Sequence, residues 1–285
     1  MDANAITSLT LRLREFEFSN EDFEALRTLV KEVTGIALSD QKRELVYGRL
    51  ARRLRALSLR TFREYRELLA SDADEVVQLC NAITTNLTAF FREPHHFDHL
   101  RDEVLKPLAL TPPASRRYRI WSAACSTGEE PYTLAMTVLE AMGDPRGWDL
   151  RILATDLDSD VLGKASRGVY LEDRLRLLST ERKRRFFAPT TGARDSSFTV
   201  TPSLRQLITF RQLNLMHTFP MKGPFDAIVC RNVLIYFDKE TQRDLVSRMA
   251  RLQRPGDLLY LGHSESLFKV SNDYTLIGRT IYRRS

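Results

Sequence analysis

Cysteine is scarce: Cys80, Cys125 and Cys230 are the whole complement, with no CxxC pair and no Cys/His cluster. That excludes a disulfide scaffold and a zinc finger, and makes a reducing cytoplasm the expected setting. No apolar run approaches the ~18–20 residues that span a bilayer, so no membrane-inserted segment is expected. The first eighteen residues interrupt short apolar pieces with Asp2, Arg12, Arg14 and Glu15, which is not the core of a signal peptide. There is no internal repeat, no low-complexity tract and no GxGxxG phosphate loop. What is present is 285 residues, 43% apolar, enough for one large domain or two modest ones with a buried core. An excess of six positive charges, with a pI near 9.3, hints at an acidic partner.

The two ends of the chain read differently. Up to about residue 110 the periodicity is helical. Ser19 and Asp22 form a capping box for a helix that stops at Gly35. Further helices are expected from 39 or 40 to 57, from Thr61, from 72 to 82, and from 95 to 108. This gives an N-terminal helical domain over 1–110 and a linker over 111–117, where Pro112 and Pro113 stand. From 118 to 285, apolar strand-like runs alternate with helices, the pattern of a mostly parallel sheet covered on both faces. The last two runs, around Gly278, read as an antiparallel hairpin. The stretch 168–206 breaks the alternation with a basic helix and Thr/Ser-rich segments, and reads as a small inserted antiparallel β-subdomain.

In such a sheet the ligand lies beyond the carboxyl ends of the strands. The first strand–helix turn is Ala123-Ala124-Cys125-Ser126-Thr127-Gly128-Glu129-Glu130. Its small residues admit a ligand, and Thr127 with Glu130 reads as a second capping box. Glu129 and Glu130 put negative charge where a pyrophosphate would lie, which argues against NAD or FAD and for a cationic ligand. The second strand ends at Asp156, placed to accept both ribose hydroxyls of an adenosine, while Asp158 suits a helix cap. Asn214 and Leu215 follow another strand end. A buried run then delivers Arg231, Asn232 and Tyr236 to the same edge, and an Arg and Asn buried unpaired would be costly.

Taken together, residues 84–93, 121–132, 156–158, 223–238 and 262–265 resemble the chemotaxis receptor methyltransferases, the CheR family. The resemblance implies an α/β S-adenosylmethionine (SAM)-dependent methyltransferase, Rossmann-like, with a reversed terminal strand, an N-terminal helical domain and an inserted β-subdomain. It implies transfer of a methyl group from SAM to receptor glutamates, giving methyl esters and S-adenosylhomocysteine. By position it assigns Asn86, Thr88 and Arg92 of the N-terminal domain, with Ala124, Glu130, Asp156, Asn214, Leu215, Arg231 and Asn232, to the cofactor. Arg92 and Tyr236 match the pair beside the transferable methyl. A glutamate is already ionised at pH 7, so no general base is required.

Between residues 42 and 66, nine basic residues face only Glu44 and Glu64. Lys42, Arg49, Arg52, Arg53 and Arg55 belong to a helix whose buried stripe is Val46, Leu50, Leu54 and Leu57, and they read as a dock for an acidic surface. The resemblance makes that surface the cytoplasmic helical region of a chemoreceptor, and lets the β-subdomain, with its loop 190–194, take a C-terminal receptor peptide. The rivals are an RNA methyltransferase, disfavoured because the N-P-P-[YF] motif is missing, and a non-catalytic adaptor, disfavoured by Arg92, Asp156 and Tyr236. No nucleic acid partner is expected. His95 and His99 lie one helical turn apart but lack a third ligand nearby, so no metal is expected. Cys125 reads as small-residue packing rather than a nucleophile.

Overall fold

The computed structural model describes residues 14–143, 147–190 and 196–285. Most of the loop 190–194 therefore lies outside the described residues. The chain divides into two compact units, Met1–Thr84 and Thr85–Ser285.

The first unit is helical. Ser19 and Asp22 close the expected capping box, and α1 (Asn20–Thr34) ends on Gly35 in the left-handed region at φ 74°. A short 3-10 turn (Asp40–Lys42) leads into α2 (Arg43–Ala56), followed by α3 (Phe62–Ser71), capped by Thr61, and α4 (Ala73–Ile83), capped by Asp72. Each helix buries residues three and four apart: Phe23, Leu26 and Val30 on α1, and Val46, Leu50 and Leu54 on α2. Phe18 fills the centre, 4.4 Å from the Phe62 ring.

The basic face of α2 is partly committed to this unit's own architecture. Arg53 holds the buried Glu75 through two hydrogen bonds of 2.7 and 2.6 Å, and Tyr65 donates to the same carboxylate at 2.9 Å. Arg49 donates to the carbonyls of Ala82, Ile83 and Thr84, which satisfies the carboxyl end of α4. Of the five cations expected on the docking face, Arg49 and Arg53 thus also serve this unit's own fold. Arg52 and Arg55 remain exposed, Arg55 beside Glu15 at 3.1 Å. Between them and the exposed Leu45 on α2 lies Gly48, where an added Cβ would meet nothing within 4 Å among the described residues.

In the second unit a seven-stranded sheet runs in the order β6-β2-β1-β7-β8-β10-β9. Its members are β1 (Arg117–Ala123), β2 (Asp149–Asp156), β6 (Ile208–Gln212), β7 (Ala227–Cys230), β8 (Leu258–Leu261), β9 (Tyr274–Gly278) and β10 (Ile281–Arg284). The strands from β6 to β8 pair in parallel, and β10 runs antiparallel to both β8 and β9. Alternate residues serve opposite faces, as the pleat requires. Ile120, Ile152, Val229 and Tyr260 join one core, and Trp121, Ile228, Cys230 and Leu259 join the other. The β-subdomain is a three-stranded antiparallel sheet of β3 (Val169–Leu171), β5 (Ser197–Val200) and β4 (Phe187–Pro189), in that order.

The helical domain expected to reach residue 110 therefore stops at Thr84. Helix α5 (His95–His99) continues through a π-helical turn (Leu100–Leu105) into α6 (Lys106–Leu110). Its apolar residues Phe97, Leu100 and Leu105, with Phe90 before it, are buried in the sheet core beside Ile120 and α7 (Glu129–Met142). Helical periodicity could not reveal which core a helix serves. Residues 111–116 are an exposed connection inside the second unit, and Arg117 already opens β1.

Replacing Arg53 with Met would leave a buried carboxylate without its cation. Urea unfolding should show a loss of about 2–3 kcal/mol, reduced from the fully buried case because Arg53 is partly exposed.

Candidate functional site

The first strand–helix turn is held down by the next strand. Ser126 N donates to Asp156 Oδ2 at 2.8 Å, and Asp158 N donates to Asp156 Oδ1 at 2.9 Å. Each oxygen of Asp156 thus accepts one amide and keeps a further lone pair for a ligand hydroxyl. Burial pushes the Asp156 carboxyl up to about 6, against the pull of those amides. Asp158, as expected, caps the following helix, α8 (Ser159–Arg167), through Asp160 N and Val161 N. Leu213 N donates to the Asp156 carbonyl at 2.9 Å, which sets Asn214 and the buried Leu215 beside the same strand end.

The turn is unusually tight. Ala124, Ser126 and Gly128 all have positive φ, and a Cβ on Gly128 would lie 2.8 Å from Tyr170 Oη and 2.9 Å from Ala165 Cβ. Gly128 itself flanks α7 and no side chain caps it, so the second capping box is corrected. Thr127 Oγ1 donates to Glu129, at 2.6 Å, and Glu130 turns away to accept from Ser122 Oγ at 2.7 Å.

Nor is the turn's negative charge free. Glu129 is buried and paired with Arg174 from the β-subdomain, and Glu130 lies 3.2 Å from Arg231. The local balance remains acidic all the same. Five carboxylates (Glu93, Glu129, Glu130, Asp156 and Asp158) stand around the turn against the guanidinium groups of Arg92, Arg174 and Arg231.

Arg231 ends β7, is 6% exposed, and reaches three segments. It contacts Glu130, lies 3.3 Å from Glu93, and donates to the Arg92 carbonyl. Arg92 Nη1 in turn donates to Leu87 O at 2.8 Å. Asn86 Nδ2 donates to Asp158 at 2.7 Å, its carbonyl accepts from Ser126 Oγ at 3.1 Å, and Thr88 O accepts from Arg174 at 3.2 Å. Asn86, Thr88 and Arg92 thus belong to the same compact unit as the sheet, not to the helical domain from which they were expected. Tyr236 lies on a 3-10 turn (Leu234–Tyr236), half-buried, five residues beyond Arg231.

Two carboxylates join the site that residue-by-residue reading passed over. Glu93, at φ 59°, binds His263 at 2.8 Å and Asn232 at 3.3 Å, and is held down to about 2 despite burial, by His263 and by Arg231. Glu265 accepts from the backbone of the 232–235 segment. Both fall inside strings already singled out, 84–93 and 262–265, but a single sequence does not say which member of a string is structural. The histidines turn to the terminal hairpin: His95 and His96 reach Arg279 O, His96 also Thr280, and His99 reaches the Tyr260 hydroxyl. Among the described residues no group of three or more His, Cys, Asp or Glu could hold a metal, and no helix is long and apolar enough to cross a membrane. Cys125 is buried, and burial raises its thiol well above the usual range, as expected for packing.

A parallel floor closed by a reversed strand, with its polar residues at the carboxyl ends of β1, β2 and β7, is the SAM-dependent methyltransferase class. Residues 21–84 match the CheR methyltransferase all-alpha domain and residues 86–283 the CheR methyltransferase SAM binding domain. The chain is 46% identical to chemotaxis protein methyltransferase 2 of Pseudomonas aeruginosa over 272 residues, covering 94% of this chain and 95% of that protein. It is 42% identical to the chemotaxis protein methyltransferase of Escherichia coli over 284 residues, 98% of this chain and 96% of that protein. The chain belongs to the CheR methyltransferase family. Its site suits SAM: Asp156 keeps acceptor capacity for a diol, the balance is acidic, and the turn carries no phosphate cradle.

His96 is 2% exposed, and burial, with Arg231 and His95, pulls its pKa down to about 3. The folded protein keeps it neutral, while the unfolded chain takes up a proton near pH 6.5. Folding stability should therefore fall as pH drops below 6.5 in the wild type and be spared that loss in His96→Gln. Denaturation series from pH 6.5 to 4.5 should show the difference changing by up to about 1.4 kcal/mol per pH unit.

Proposed function

We propose that this chain methylates glutamate side chains of chemoreceptors with SAM as donor, in the cytoplasm, leaving a methyl ester and S-adenosylhomocysteine. The observation that carries the reading is the Arg231 cross-tie. It joins the backbone of Arg92 and the start of the 231–236 segment to the turn that Asp156 holds, inside a chain whose family is defined by SAM-dependent methyl transfer.

SAM when bound supplies a methyl on a sulfonium centre, which is electrophilic without acid catalysis. Asp156 accepts the ribose hydroxyls, while Asn214 and Leu215 border the adenine, and Asn86, Thr88, Ala124, Glu130, Arg231 and Asn232 complete the pocket. Arg92 holds the acceptor carboxylate by its charge, and the Tyr236 hydroxyl aligns the acceptor with the methyl. Attack by an ionised carboxylate on a cationic centre cancels charge, so these residues act by alignment and by excluding water rather than by proton transfer. No histidine need serve as a base: His96 is buried and held neutral, and His263 is engaged by Glu93.

The acceptor comes from the receptor's helical region, whose acidic residues meet the exposed cations Arg52 and Arg55, with Lys42 nearby. Gly48 supports this use of α2. A mid-helix glycine costs about 1 kcal/mol relative to alanine, and among the described residues none comes close enough to need its missing side chain. A receptor helix crossing there could come close to the backbone. The β-subdomain is available for a receptor's C-terminal peptide.

Incubation with methyl-labelled SAM and a chemoreceptor cytoplasmic fragment should place base-labile label on glutamates. Tyr236→Phe and Arg92→Ala should each lower kcat by about 10- to 100-fold, with product binding kept in Tyr236→Phe. An unlabelled receptor, or full activity in both variants, removes the reading.

Because Asp156 must be ionised to accept two ribose hydroxyls, SAM affinity should hold above pH 6 and weaken below it. The loss should approach tenfold per pH unit, and calorimetric titration from pH 7.5 to 5 measures it.

A further inference from the structure

Glu265 follows the exit of β8 and is 5% exposed, and among the described residues no cation lies within ion-pair distance of it. A buried carboxylate without a cation is costly unless hydrogen bonds replace its water. Here the donors are all main-chain amides. Oε2 accepts from Asn232 N at 2.9 Å and from Gly262 N; Oε1 accepts from Val233 N at 2.8 Å and Ile235 N at 3.4 Å. Burial raises its pKa and these amides draw it back down. The segment so held is a strained one. Asn232 has φ 59°, a conformation that costs a non-glycine residue about 1 kcal/mol or more and persists only where the surroundings impose it.

Gly262 is the other half of the arrangement. A Cβ there would lie 2.8 Å from Asn232 N and 2.8 Å from Glu265 Oε2, closer than packing allows. The β8 exit must be glycine for the carboxylate and the 232–235 backbone to meet. Arg231 and Tyr236 bracket that backbone, and the Asn232 side chain lies on it.

We propose that Glu265 is a positioning residue for methyl transfer: its carboxylate splints the 232–235 backbone, with Asn232 left-handed, in the conformation that presents Arg231, Asn232 and Tyr236 to the donor. The proposal rests on the reading of this segment as a wall of the SAM site. Glutamine has the same shape but offers an N–H face to some of these amides, so it breaks the splint without opening a cavity.

The test uses the full chain with Glu265→Gln, Gly262→Ala and Asn232→Ala, each titrated calorimetrically with S-adenosylhomocysteine and melted. Glu265→Gln should weaken product binding about tenfold and lower kcat about 10- to 100-fold at temperatures well below its melting point, with the receptor KM little changed. The amide protons of Asn232 and Val233, shifted downfield by the carboxylate, should move upfield in its NMR spectrum while those of the first unit stay put. Gly262→Ala enters the same segment from the opposite side and should repeat the binding loss, deciding the matter if Glu265→Gln does not fold. If Glu265→Gln and Gly262→Ala bind product like wild type while Asn232→Ala does not, the splint is refuted and the site reading stands. If Asn232→Ala also binds normally, it is the site reading that fails.

Discussion

The second unit depends on one guanidinium. Arg231 leaves the end of β7 almost fully buried and ties together the Arg92 backbone, Glu93 and Glu130. A buried arginine needs partners for its charge, and those of the two Nη groups here join the pre-α5 segment, the first strand–helix turn and the β7 exit in one cluster. Glu93 extends the tie to Asn232 and His263. Arg231 pulls the Glu93 carboxyl down and offsets part of the rise that burial imposes on Glu130.

The first strand–helix turn is held by charge pairs and amides from three directions. Its two glutamates are answered by Arg174 and Arg231, so their charge is held within the fold. Asp156 pins the turn through Ser126 N and the start of the next helix through Asp158 N. Burial raises its carboxyl to about 6, against the pull of the amides it accepts.

Much of this was legible in the sequence, for particular reasons. The Ser19 capping box, the Asp158 cap and the apolar runs of the buried strands act over a few residues, so their signals are local and survive intact. Asp156 and Arg231 stood out because they are polar residues at the ends of apolar strand-like runs, and the structure puts both there. What failed was long-range. Nothing local tells that Phe97, Leu100 and Leu105 serve the sheet rather than the helical unit, or that Arg53 is answered by Glu75 22 residues away. Thr127 and Glu130 have capping-box spacing, but Gly128 at φ 97° starts the helix late and Ser122 claims the glutamate. Glu265 was invisible as a functional residue because its partners are amides, which every residue has.

The pairing of Glu129 with Arg174 and of the Thr127 carbonyl with Tyr170 means that the β-subdomain is not a detachable accessory. Trimming it to a plain loop would orphan a fully enclosed acid at the mouth of the principal helix. The insert is therefore less a grafted module than a keystone, and a protein that dispenses with it must first rewrite the turn it locks.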